Sequence, residues 1–241
     1  MKGIILSAGG GTRLLPCTKV TSKQLLPVYN RPLIYYPLNT LIRAGIKEIL
    51  VIIAPRQAGD YLNLLGSGKE FGVKFTYEIQ EKPNGLAEAF IIGEKFIDEE
   101  NVAMILGDNI FEDDFTEDIK SFKSGGKIFA KKVPDPERFG VVKFNEQMKA
   151  EKIVEKPKEW LSDYASTGLY IFDQRVVEIA KGLTPSSRGE LEITDIQNWY
   201  LNKGELAVAE VKGEWVDAGT FDSLLRAQIL AKEKLQDKMV I

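Results

Sequence analysis

Gly9, Gly10 and Gly11, followed at once by Thr12 and Arg13 and a little later by Lys23, are residues suited to holding a small polyanion. Three successive glycines remove every Cβ from the turn, so backbone N–H groups can approach an oxyanion closely, and the guanidinium and ammonium groups supply positive charge. The surrounding charge pattern points the same way. From Met1 to Lys47 there is no Asp or Glu, although an even spread of the 35 acids would place roughly seven there. The same stretch carries Lys2, Arg13, Lys19, Lys23, Arg31, Arg43 and Lys47. An electropositive N-terminal module on a chain of net charge −3 favours a compact polyanionic ligand over a nucleic acid spread across one face. The plainer alternatives are a simple tight turn for the glycines and chance clustering of solvated lysines for the charge.

Neither common phosphate loop fits the stretch. A P-loop would end in Gly-Lys-Ser/Thr, but Gly11 is followed by Thr12-Arg13. A dinucleotide fingerprint would need glycine where Leu14 stands, and Pro16 would soon interrupt its helix. The chain contains no histidine, which removes the usual general base, the usual zinc ligand and any Ser-His-Asp arrangement. Its single cysteine, Cys17, excludes an internal disulfide and a multi-thiolate metal site. If the chain is an enzyme, its chemistry is expected to run on fixed charges and metal ions. With no apolar run near the roughly 18 residues that span a bilayer and no N-terminal signal pattern, a cytoplasmic location is expected.

The elements that must position these residues follow from hydrophobic patterning. Gly3 to Leu6 reads as a buried strand, Pro32 to Ala44 as a helix capped by Gly45, and Glu48 to Ala54 as a second buried strand. Asp60 to Leu65 is a short helix, Val73 to Gln80 a strand, Gly85 to Ile97 a helix and Asn101 to Leu106 a strand that delivers Gly107-Asp108-Asn109 at its end. This alternation predicts an open, doubly wound sheet, with the glycine loop and Asp108 meeting beyond the carboxyl ends of its strands. Past Lys127 the strands Lys127 to Val133, Gly140 to Phe144, Glu151 to Glu155 and Ala165 to Phe172 have little helix between them. No Pro/Gly/Ser-rich linker intervenes, so they should add antiparallel strands and a lid to the same domain. Helices are expected at Gln174 to Lys181, Thr194 to Asn202 and Thr220 to Asp237, and strands at Leu206 to Val211 and Trp215 to Asp217.

The segments LSAGGGTRLLPCTKVTSKQLLPV, PNGLAEAF, LGDNIF, DPERFGVV, EKP, STGLYIFD, RGELEITD and WVDAGT occur in this order over nearly the whole chain. In them the chain resembles the sugar nucleotidyltransferases, and within these a short form of the glucose-1-phosphate thymidylyltransferases. The resemblance implies an α/β fold with a Rossmann-like, doubly wound mixed sheet. It also implies a single nucleotidyltransferase domain over 1–241, with 1–110 as the nucleotide-binding core and 111–241 mainly the antiparallel sugar-phosphate-binding portion and a C-terminal helix. The implied reaction joins dTTP, or UTP, to glucose 1-phosphate or another hexose 1-phosphate with release of pyrophosphate, in nucleotide sugar biosynthesis such as the dTDP-rhamnose pathway. Such chemistry needs no histidine. A sugar phosphate with a second pKa near 6 is already an anionic nucleophile at neutral pH, and what remains is alignment and charge neutralisation.

The resemblance also assigns residues. Arg13, Lys23 and Lys156 become catalytic, and Ala8, Gly9, Gly11, Thr12, Arg13, Gln80 and Gly85 bind the nucleotide, the last two facing the base. Asn109, Gly140, Glu155, Lys156, Ser166, Tyr170 and Arg188 line the sugar phosphate. Asp108 and Asp217, both at strand ends, would hold Mg²⁺. Plainer readings exist beside these: a helix cap or turn for either aspartate, a strand end and a helix start for Gln80 and Gly85, a solvated turn for Glu155-Lys156. Three positions depart from the family's pattern: Ala8 replaces a loop glycine, Phe139 a tyrosine and Ser166 a valine. Ala8 can still donate its N–H if its φ is negative. The chain also stops short of longer members, and Glu112-Asp113-Asp114 would repel a phosphate. One nucleotide per subunit and a homodimer or monomer are therefore expected, with neither nucleic acid nor membrane as partner. A non-catalytic regulatory subunit of the same fold is the rival of a different class.

Overall fold

The computed structural model describes residues 1–241. Its centre is β1 (Lys2–Ser7), whose apolar run is hidden on both faces. The chain then makes a small hairpin, β2 (Pro27–Val28) with β3 (Arg31–Pro32), before α1 (Tyr35–Arg43), β4 (Glu48–Ile53), α2 (Ala58–Leu65) and β5 (Lys74–Ile79). Two short helices follow, α3 (Glu88–Ile92) and α4 (Glu94–Ile97), and lead into β6 (Val102–Leu106). β1 pairs in parallel with β4 on one side and β6 on the other, and β5 adds in parallel outside β4. The four strands end together at Ser7, Ile53, Ile79 and Leu106, so one edge of the sheet is a row of carboxyl ends.

The rest of the chain supplies β7 (Asn109–Phe111), α5 (Thr116–Ser121), β8 (Gly126–Lys132), β9 (Gly140–Phe144), β10 (Ala150–Glu155) and β11 (Tyr164–Phe172). It continues through α6 (Val176–Lys181), α7 (Ile193–Asn202), β12 (Leu206–Glu210), β13 (Trp215–Asp217) and α8 (Phe221–Leu230). β11 runs antiparallel to β6 and so extends the same sheet, giving the order β10-β9-β11-β6-β1-β4-β5, with β8 and β12 branching from β11. The later strands are thus continuous with the parallel core, in one mixed sheet. Alternate residues of the central strands face opposite layers. Ile4, Leu50 and Met104 pack with Phe90, Ile196 and Tyr200 from α3 and α7, whereas Ile5, Val51 and Ile105 pack with Leu38, Leu41 and Tyr61 from α1 and α2. No helix is long and apolar enough to cross a membrane.

The β2–β3 hairpin and α5 are not announced by the patterning, and three further elements differ from the sequence expectation. The helix expected over Gly85 to Ile97 starts later and breaks at Gly93. Gly85 takes φ 111° to dock against the Leu191 backbone, and a Cβ at Gly93 would press within 3.2 Å of Ala89 O, Leu50 and Ile4. The final helix ends at Leu230 and continues as a π turn (Ala231–Leu235) and a 3-10 turn (Gln236–Lys238). The wider turn keeps Ala231 and Leu235 buried with Leu230 against Val28 and Tyr36. The third difference is β7, which pairs antiparallel with β13 in a separate ribbon, Asp217 opposite Asn109.

Candidate active site

The glycine loop leaves the carboxyl end of β1. The N–H groups of Gly9, Gly10, Gly11, Thr12 and Arg13 donate to no other protein group, which leaves them available to an anion. Gly11 sits at φ 61°, where its carbonyl accepts from Thr18 Oγ1 at 2.8 Å, and a Cβ there would come within 2.9 Å of the Thr18 methyl. The turn itself therefore requires that glycine. Ala8 avoids positive φ, the condition set for its N–H to donate, and its side chain packs into the core.

A cavity of about 370 Å³ opens beyond the strand ends. Gly9, Arg13, Lys23, Gln80, Gly85, Asp108, Asn109, Gly140, Glu155, Lys156, Ser166, Tyr170, Arg188 and Asp217 all line it. Fourteen residues assigned from sequence, drawn from elements far apart in the chain, thus line one cavity. Ala8, Gly11 and Thr12 stand outside it, the first buried behind the loop, the second engaged in the turn and the third exposed at the start of a 3-10 turn (Thr12–Leu14).

The charged centre lies where β6 meets the ribbon. Lys23 Nζ makes a short ion pair with Asp108 Oδ2. Burial alone would depress the Lys23 ammonium, yet the neighbouring Asp108 and Asp217 carboxylates prevail and hold its pKa above the ordinary lysine value. Asp108, against the same burial, is held below the carboxylate range by Lys23 and by the Asn109 amide, which donates to Oδ1 at 3.1 Å. Asp217 is in the opposite condition, pushed up to about 6 by burial and by the Asp108 charge. The ribbon brings the two carboxylates together: Ala218 N donates to Asp108 O at 2.9 Å, and Asp217 stands opposite Asn109 in register. Gly219 is a close-approach glycine, since a Cβ would lie 2.8 Å from Arg13 Nη2 and 2.7 Å from Asp217 Oδ1. Arg13 therefore reaches from the glycine loop to the Asp217 side of the cavity.

Gln80, at the end of β5, is buried, and its Nε2 donates to Glu88 Oε2 at 2.7 Å and to Gly85 O at 3.3 Å. Both contacts use the amide's donor end, so Oε1 is free to accept from a ligand. Across the cavity, Lys156 adopts φ 41°, and its N–H donates to Phe139 O at 2.9 Å. Arg188 is held by three acids, with Nη2 at 2.7 Å from Glu192, 3.2 Å from Glu190 and 3.3 Å from Glu155. Burial raises the Glu155 pKa despite Lys156 beside it. Glu192 is lowered, because Arg188 and Ser186 outweigh its burial. Burial also raises the Tyr170 phenol.

Asn109 has less to offer a ligand than its assignment suggests. Its Oδ1 accepts from Trp215 Nε1 at 2.7 Å and Gly168 N at 3.0 Å, and a Cβ on Gly168 would clash with its amide. Its placement serves mainly to fix Asp108 and tie the ribbon to β11. Several lining residues escaped the sequence reading: Gln24, Arg138, Glu192, Thr194, Gln197 and Trp215. Arg138, Glu192, Thr194 and Trp215 lie inside motif segments quoted above, so their motifs were the available signal. Gln24, also within a quoted segment, accepts at Oε1 from Ser22 at 2.5 Å and Tyr61 at 3.3 Å, which leaves its donor end unused.

Comparison with known proteins bears on what this cavity does. Residues 2–234 match the family described as Nucleotidyl transferase. The chain is 53% identical over 234 residues to glucose-1-phosphate thymidylyltransferase of Neisseria meningitidis, covering 94% of this chain and 81% of that one. It is 50% identical over 232 residues to the protein of the same name from Mycobacterium tuberculosis, with the same coverage. A solved structure provisionally named glucose-1-phosphate thymidylyltransferase, from Bacillus anthracis and in complex with sucrose, superposes with a TM-score of 0.92 at 49% identity, covering 97% of this chain and 96% of that chain. A UDP-glucose pyrophosphorylase bound to UDP-glucose superposes with a TM-score of 0.85 at 25% identity, covering 97% and 98%.

Proposed function

The chain belongs to the nucleotidyl transferase family and is an enzyme of it, and from that premise we propose that it transfers a thymidylyl group from dTTP to glucose 1-phosphate, giving dTDP-glucose and pyrophosphate. The observation that carries this reading is the cavity's division of labour. Free loop N–H groups, Arg13 and Lys23 stand near one pair of carboxylates, Gln80 presents an acceptor at one end, and a second set of cations and acids occupies the other. Gln80 Oε1 suits the ring N3–H of thymine or uracil and has no partner on N3 of cytosine.

In this reading the sugar phosphate oxygen attacks the α-phosphorus, a new P–O bond forms, and the bond to pyrophosphate breaks. Arg13, Lys23 and the loop N–H groups hold the departing pyrophosphate, while Lys156 and Arg188 orient the sugar phosphate and Glu155 accepts from sugar hydroxyls. No side chain has to remove a proton, because the nucleophile is already an anion near neutral pH. The two aspartates fit a divalent cation: hard oxygen donors, a shared burial, and an Asp217 carboxyl raised by that burial and by the Asp108 charge beside it. Mg²⁺ bound by Asp108 and Asp217 would supply further neutralisation of phosphate oxygens. By the same division, 1–110 acts as the nucleotide-binding core and 111–241 mainly as the sugar-phosphate portion, with Asp217 as its contribution to the metal site.

The test is pyrophosphate release from a panel of four hexose 1-phosphates with dTTP and with UTP. Glucose 1-phosphate with dTTP is expected to be fastest. UTP should react about ten- to a hundredfold less well in kcat/KM, the worth of one methyl group in a fitted pocket. Equal rates with the two nucleotides would remove the thymidylyl assignment and leave the reaction class standing.

A further inference from the structure

One wall of the cavity, where β11 passes α7, carries a polar pair that the mechanism above does not use. Gln197 is completely buried on the face of α7 that also buries Ile193, Ile196 and Tyr200, a position where an apolar side chain would pack without cost. Its Nε2 donates to Ser166 Oγ at 3.2 Å, and its Oε1 has no donor at all. An amide oxygen that no protein group partners calls for a reason, and a ligand interaction that depends on the group bearing it is one such reason. Ser166 makes no other side-chain hydrogen bond. With one lone pair taken by the Gln197 N–H, its own O–H remains to donate.

The hydroxyl is well placed to do so. β11 slips register against β8 between Ser166 and Tyr170, which turns this stretch toward the cavity. Gly140 lines the cavity between Ser166 and Glu155: a Cβ there would clash with the Thr194 methyl at 2.7 Å and would lie 3.4 Å from Glu155 Oε2 and 3.8 Å from Ser166 Cβ. A donor on Ser166 and an acceptor on Glu155 thus border one small volume. A sugar hydroxyl, which both donates and accepts, matches that pairing.

We propose that Ser166 and Gln197 form the element that selects the hexose, with Ser166 O–H donating to one sugar hydroxyl oxygen and Gln197 as the positioning residue that turns it there. The inference rests on the sugar 1-phosphate reading above. The experiment measures kcat and KM, with dTTP, for glucose 1-phosphate and its 2-, 3-, 4- and 6-deoxy analogues. It compares the unaltered enzyme with Ser166→Ala, Ser166→Thr and Gln197→Leu, each checked by a melting curve. One deoxy analogue should lose about tenfold or more in kcat/KM with the unaltered enzyme. Ser166→Ala should lose a similar factor on glucose 1-phosphate and nothing further on that analogue. Gln197→Leu should copy this pattern, mostly through KM, while Ser166→Thr keeps the discrimination. A loss by Ser166→Ala that is equal on all five sugars, or absent on all five, overturns the proposal even if Gln197→Leu fails to fold. Absence of pyrophosphate release by the unaltered enzyme from every sugar would instead overturn the reading beneath it, and this inference with it.

Discussion

Lys156 holds φ 41°, a region that side chains with a Cβ enter at a cost of roughly 1 kcal/mol or more. That backbone belongs to a lysine that lines the cavity next to Glu155 and that the proposed function sets against the sugar phosphate. Replacement by glycine separates the backbone's part from the side chain's. Lys156→Gly should leave stability within about 1 kcal/mol of the parent, since the strain it relieves offsets the added chain entropy. Pyrophosphate release should nevertheless fall by at least about a hundredfold, the scale of losing a preorganised positive charge at a reacting phosphate. A melting curve and an initial-rate assay on the same preparation check both halves. Full activity in the glycine variant would remove Lys156 from the site.

At the scale of elements, β11 and the residue that follows it do two different jobs. Its middle feeds the cavity, and the residue just past its end, Asp173, fastens the sheet to the helices. The Asp173 carboxylate accepts from Gly125 N at 2.7 Å, Tyr200 OH at 2.9 Å and Arg175 Nη2 at 2.7 Å. Burial alone would raise its pKa, but these partners hold it below the ordinary aspartate value. The folded state therefore prefers the carboxylate. Its contribution is whole above about pH 4 and is lost as the pH falls through the depressed folded value. Asp173→Asn should cost about 1–3 kcal/mol near neutrality, most of it from the buried Gly125 and Tyr200 bonds because Arg175 is largely in solvent. Denaturant titrations at pH 7 and pH 3 should show that gap narrowing in acid, and a gap independent of pH would contradict the assignment.

The same scale shows what the sequence could reveal. Runs such as Glu48 to Ile53 and Val102 to Leu106 announce themselves by β-branched and apolar density, and the doubly wound core follows from them. β7 has three residues, too few for any periodicity, and exists because β13 returns from far along the chain to pair with it. Arg13, Lys23 and Asp108 were legible from charge and from glycine-flanked strand ends. Gln24 and Gln197 were not, because a buried amide has no local signature: its meaning comes from Tyr61 or Ser166 across space. Gly85 and Gly168 matched a motif or passed unnoticed, while the contacts that require them, Leu191 and Asn109, lie on other elements.

For the molecule as a whole, the parallel half brings the glycine loop and Asp108 to the row of strand ends. The antiparallel half folds Lys156, Ser166 and Arg188 over them, and the β7–β13 ribbon closes the circuit with Asp217. In a chain without histidine, the proposed reaction has its nucleophile arrive already ionised. The competing source of an acid limb is Asp217, whose carboxyl is itself raised to about 6, close to the second ionisation of a sugar phosphate. The two are separated by changing the substrate and leaving the protein alone. We would measure kcat/KM against pH for glucose 1-phosphate and for a phosphonate analogue of different second pKa, at saturating dTTP and Mg²⁺. The acid limb should move by the difference between the two ligand pKa values; a limb that stays fixed near pH 6 for both would contradict the account and place the controlling proton on the enzyme.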